Sequence, residues 1–114
     1  MAFLDIMILD HKDNEISSIC IDSQAHEFLF KMLGDKSKYH YLYKIEDFYH
    51  DARFDSGEIH ALRKEIIELR SEIEEGANSS STELHDNAVQ FLKDFESLCE
   101  KALGLNLPIQ CFSD

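Results

Sequence analysis

Positive charge is scarce in this chain. Only 11 Lys and Arg stand against 23 Asp and Glu in 114 residues, a formal net charge of -12. Such a field repels a phosphate backbone unless a local basic patch overrides it, and the most basic stretch, Lys36-Ser-Lys38, is too small to do so. Direct binding of DNA or RNA is not expected. No apolar run approaches the roughly 18 residues that a membrane-spanning helix requires, so no membrane partner is expected. Met1 to Asp10 lacks a positive start, and Asp5 interrupts its apolar run, which argues against a secretion signal and for the cytoplasm. Cys20, Cys99 and Cys111 form an odd set without CxxC spacing, each within an apolar pattern. They read as buried, reduced thiols, which suits the same compartment.

Glycine is also sparse. The four glycines, at 34, 57, 76 and 104, build no GxxxxGK[ST], GxGxxG or GxSxG, so the sequence carries neither a phosphate-cradling loop nor a nucleophile elbow. Three of them read as helix stops and Gly57 as part of a first helical turn. Six histidines among many carboxylates raise a metal site, densest at Asp47, His50, Asp51, Glu58 and His60. Asp47 with His50 or Asp51 has helical ligand spacing, but no equally placed third ligand follows. A Cys-His nucleophile would need a reactive thiol, and an apolar setting suppresses that reactivity. The expectation is a protein with no cofactor and no enzymatic activity.

What the chain does have is enough apolar material for one core, at 44% hydrophobic and 11% aromatic residues. Residues 3 to 10 and 15 to 22 are short apolar runs joined by the polar His11-Lys12-Asp13-Asn14, a β-hairpin pattern in which Ile19 and Ile21 share one face. Ser23 is placed to cap a helix over residues 24 to 33 that Gly34 would stop. Tyr39, Tyr41, Tyr43 and Ile45 recur at a spacing of two, the pattern of a strand that an aromatic helix can mimic over so short a length. Residues 46 to 55 read as a helical turn or loop.

Asp55-Ser-Gly-Glu58 is a capping box, followed by Ile59, Leu62, Ile66, Leu69 and Ile73 in steps of three and four, which predicts an amphipathic helix ending at Gly76. Ala77 to Ser81 is a connector. Ser80 with Glu83 offers a second capping box, and Leu84, Ala88, Phe91, Phe95, Leu98 and Ala102 predict a second long helix closed by Gly104. The alternating tail Leu105 to Phe112 predicts a final strand, with Pro108 suggesting an edge or bulge. The whole is one α+β domain over 1–114: a small antiparallel sheet with an N-terminal hairpin, packed against two long and one short amphipathic helices.

The surplus acid falls in two places. Glu46, Asp47, Asp51, Asp55 and Glu58 surround Phe48, Tyr49 and Phe54, opposed only by Arg53. On the first long helix, Glu58, Glu65 and Glu72 flank the apolar seam while Glu68 and Glu75 lie farther round, an expected acidic stripe. Ile67 is a hundred degrees beyond Ile66 and is expected as an exposed apolar anchor inside that rim.

The short acidic chain and the segment Phe48-Tyr-His-Asp51-Ala-Arg-Phe54-Asp-Ser-Gly-Glu58-Ile-His-Ala-Leu62-Arg-Lys-Glu65-Ile resemble the bacterial immunity proteins encoded beside contact-dependent inhibition and other polymorphic toxins. The resemblance implies a cytoplasmic protein that binds a cognate basic toxin domain, often a nuclease, and blocks it; the chain itself is expected as a monomer or homodimer. No residue role carries over from it. Two other classes stand beside this one: a homo-oligomeric adaptor whose amphipathic helices pack between subunits, and a small metal-dependent enzyme with a composite site.

Overall fold

A computed structural model describes residues 3–33, 38–45, 52–76 and 83–113. Strand β1 (Phe3–Leu9) turns into β2 (Glu15–Asp22), which leads directly into helix α1 (Ser23–Leu33). A 3-10 turn (Leu42–Ile45) precedes β3 (Ala52–Phe54), two long helices α2 (Ser56–Gly76) and α3 (Glu83–Leu105), and a last strand β4 (Ile109–Ser113). The four strands form one antiparallel sheet in the order β2-β1-β4-β3. The α+β architecture with its leading hairpin is the one the sequence pattern describes.

The hairpin is set by Asp10. Its carboxylate accepts from the backbone N–H of Lys12 (2.8 Å) and Asn14 (2.9 Å), and Asp13 takes a left-handed φ of 63°. These two bonds, led by the one from Asn14, hold the Asp10 carboxyl below its ordinary pKa. The register shifts between Ile8 and Leu9, which pair with Ser17 and Glu15, so Ile16 is the extra residue of a bulge.

One sheet face is apolar. Leu4, Ile6 and Ile8 are buried, and their partners across the ladder are Ile21 and Ile19 on one side and Cys111 and Ile109 on the other. Phe54 opposite Ile109 completes the row. Against it lie Ile59, Leu62, Ile66, Leu69 and Ile73 of α2 and Ala88, Phe91, Phe95, Leu98 and Ala102 of α3, all buried. Both seams therefore turn into the chain's own core.

Several sequence expectations change. The tyrosine segment is a turn and a 3-10 helix, not a strand: Tyr39, Leu42 and Ile45 are buried at a spacing of three. The extra strand is instead β3, inside the stretch read as a loop. Asp22, not Ser23, caps α1, accepting from Ala25 N at 2.8 Å. Ser80 and Gly34 lie outside the described residues, as does the connector 77–81. β4 is an interior strand, with Pro108 placed just before it.

Gly104 does not close α3. The helix runs through Leu105, and Asn106 takes the left-handed φ of 57°. Its N–H reaches Leu103 O (3.3 Å) and that of Leu107 reaches Ala102 O (3.0 Å), the two bonds of a Schellman motif. A Cβ built on exposed Gly104 would meet nothing within 4 Å. Gly104→Ala is therefore expected to raise unfolding free energy by about 0.5–1 kcal/mol in urea titration. Asn106→Val, forced into left-handed backbone, should lower it by about 1–2 kcal/mol.

Candidate functional site

Helix α2 carries six glutamates, and the sectors around it do different things. Sector one is the row Glu58, Glu65 and Glu72, one heptad apart. The segment 38–45 runs antiparallel along it as a strap. Glu72 accepts from Lys38 Nζ and from Tyr39 Oη at 2.6 Å. Glu65 accepts from the backbone N–H of Tyr41 (2.9 and 3.1 Å) and Leu42 (2.9 Å), capping the 3-10 turn. Glu58 accepts from Lys44 Nζ at 2.7 Å.

These three are structural anchors rather than the free acidic stripe expected of them. Glu65 is only 9% exposed and spends both oxygens on the strap. Glu72 lies below the ordinary glutamate pKa, first because Lys38 donates to it and then because Tyr39 does. Such a depressed carboxyl gives stability that is present above its unfolded pKa and lost as pH falls through the folded one. Tyr39 is raised by burial and by the same bond to Glu72, so its contribution persists at neutral pH and ends only in strong alkali. Glu58 also completes the capping box: Asp55 Oδ1 accepts from Glu58 N (3.0 Å) and Glu58 accepts from Asp55 N (3.3 Å).

Two further ties fix the strap from the far side. His26, buried in α1, meets Ile45 O through Nε2 at 2.7 Å. Lys44 donates to Arg53 O at 2.8 Å and sits 4.7 Å from the Phe54 ring centroid, joining strap, β3 and α2. Sequence reading missed His26, because nothing local marks a histidine whose acceptor is 19 positions away.

Sector two faces α3. Arg63 donates to Glu100 and Arg70 to Glu96, each at 2.7 Å. Sector three faces solvent and holds Lys64, Glu68, Ser71 and Glu75, all exposed, while Glu74, also exposed, lines an open groove with His85, Asp86, Val89, Gln90 and Lys93 of α3. Glu68, Glu74 and Glu75 make no ion pair or hydrogen bond among the described residues. Ile67 is half-buried between these sectors, not an exposed anchor. Asp55 is exposed although it caps α2. Glu46, Asp47 and Asp51 lie outside the described residues, as does His50.

No group of three or more His, Cys, Asp or Glu among the described residues is close enough to hold a metal ion. No helix among them is long and apolar enough to cross a membrane. Cys99 and Cys111 are buried as expected, and burial pushes the Cys99 thiol up to about 12. Cys20 departs from expectation: it points to the outer sheet face and is exposed. Comparison with protein-family models, curated proteins and solved structures finds no match to this chain.

Two outcomes follow. Glu65→Ala leaves the Tyr41 and Leu42 N–H groups without their acceptor and should cost about 3 kcal/mol in chemical denaturation, while Glu68→Ala should stay within about 0.5 kcal/mol. With a thiol reagent at neutral pH, the native protein should label at Cys20 alone, and Cys99 and Cys111 should follow only on unfolding, as peptide mapping will read.

Proposed function

We propose that the chain binds a basic protein domain through its acidic surface, in the manner of an immunity protein that neutralises a cognate toxin. The supporting observation is the placement of Glu68, Glu74 and Glu75. They are exposed on α2 and form no ion pair among the described residues, and the last turn of that helix, which holds Glu74 and Glu75, has no basic residue. A helix C-terminus carries partial negative charge, so Glu74 and Glu75 in the last turn each cost about 0.3–1 kcal/mol at low salt. Carboxylates kept where they weaken the fold are explained by a cationic surface that relieves the repulsion on binding.

The net charge of -12 acts at longer range. It steers a positive domain into encounter and raises the association rate, an effect that salt screens. A nuclease fits this role because its substrate groove must be positive, and an acidic protein seated there occupies the phosphate path. Inhibition then needs no catalytic group on this chain.

The test is capture of a basic toxin domain encoded beside the gene, followed by association kinetics against salt. Glu74→Gln with Glu75→Gln should raise stability by up to about 1 kcal/mol and slow association several-fold. An association rate that is the same at low and high salt, or unchanged by those substitutions, removes the electrostatic reading.

A further inference from the structure

The two edges of the sheet are unlike. At one side, β3 is three residues long and carries Arg53, two features that discourage another strand from adding. At the other, β2 offers Ser17-Ser-Ile-Cys-Ile21, five residues between the bulge at Ile16 and the α1 cap at Asp22. That stretch has no charge and no proline. Beside it lies an open groove of about 230 Å³ lined by Ser17 and Ile19 of β2 and by Asp94, Ser97, Leu98 and Lys101 of α3.

The groove is self-complementary. Asp94 and Lys101 are both exposed and stand two helical turns apart, at opposite ends of its α3 wall. Half-buried Ile19 and buried Leu98 lie between them. Asp94 also accepts from Gln90 at 3.0 Å, within the same helix. A two-fold axis normal to the sheet reverses direction, so it would bring Asp94 of each copy against Lys101 of the other.

We propose that this edge is the contact between two copies of the chain, joined β2 to β2 and α3 to α3 about a two-fold axis at Ile19. Ile19 then meets Ile19 on the helix side, Ser17 meets Ile21, and on the outer face Ser18 meets Cys20 of the second copy. Inward residues pair only with inward residues, as continuation of one pleated sheet requires. Helix α3 packs on β2 and β1 of its own copy, so a two-fold axis just beyond β2 brings the two α3 helices side by side above the joined strands. Each copy keeps its α2 solvent sector clear, on the other side of α3, so this contact does not depend on the basic partner proposed above and does not compete with it.

The sign of the salt effect separates the two contacts. Two bodies of like charge -12 repel, so self-association strengthens with salt, whereas binding of a cationic domain weakens. Sedimentation equilibrium of the full chain should show a monomer-dimer equilibrium that moves toward dimer from low salt to about 0.5 M. Asp94→Lys or Lys101→Asp alone should weaken the dimer about tenfold, and the two together should restore it.

Register is read by a thiol. Ser18→Cys stands across from Cys20 of the second copy, about 5 Å away between Cα atoms, and should form a disulfide-linked dimer under mild oxidation. Adding Cys20→Ser should abolish that link, and Ser71→Cys on the α2 solvent sector should not form one. A monomer at every salt and at sub-millimolar concentration overturns the proposal. A dimer indifferent to the charge swaps, or one in which Ser18→Cys links no faster than Ser71→Cys, overturns it as well.

Discussion

Three carboxylates spaced one heptad apart on α2 fasten a segment that has little regular structure of its own. The strap brings Tyr39, Leu42 and Ile45 into the core, yet its 3-10 geometry leaves backbone donors that no sheet or long helix can satisfy. Glu65 supplies the acceptor at the one place where two such donors point inward. Lys38 and Lys44 then neutralise the flanking acids at either end. If the central bond fails, the buried aromatic and aliphatic side chains of the strap have no fixed backbone to hang from. The core on that side of α2 then opens to water.

The acid of α2 thus divides by position around the helix. On one side its glutamates bind backbone and lysine, on another Arg63 and Arg70 take up acid of α3, and the remaining glutamates form no ion pair among the described residues. A count of charges cannot make that division. The internal pairs contribute to stability in proportion to their burial, greatest at Glu65 and small at the exposed ends. The solvent side subtracts from it through the helix dipole. The internal ties and the carboxylates proposed to meet a partner therefore occupy different faces of the same helix.

Periodic features were legible in the sequence because they are local. Ile59 to Ile73 and Ala88 to Ala102 repeat in steps of three and four, and only a helix lays such a row on one face; the structure buries both rows. The Asp55-Glu58 capping box was equally local. What sequence could not carry was the identity of distant partners. Glu58, Glu65 and Glu72 look like a solvated stripe until a strap 14 to 34 positions away is laid on them. The same holds for β3, three residues whose extended form is imposed by pairing with β4, and for Cys20, whose face follows from the register with Asp5. At helix ends the errors were of a finer kind: Asp22 outcompeted its neighbour Ser23, and Asn106 replaced Gly104 because it could adopt left-handed backbone at the turn.

The placement of β4 has a consequence for how the molecule opens. It lies between β1 and β3, with Ile109 paired to Ile8 from about 100 positions farther along the chain. Contacts so distant in sequence close slowly, because the intervening chain must be organised before they form. Once made, they bind the two extremities of the described chain into one ladder. Neither can fray without releasing the other, so hydrogen exchange at the centre of the sheet reports global unfolding rather than the loosening of an end.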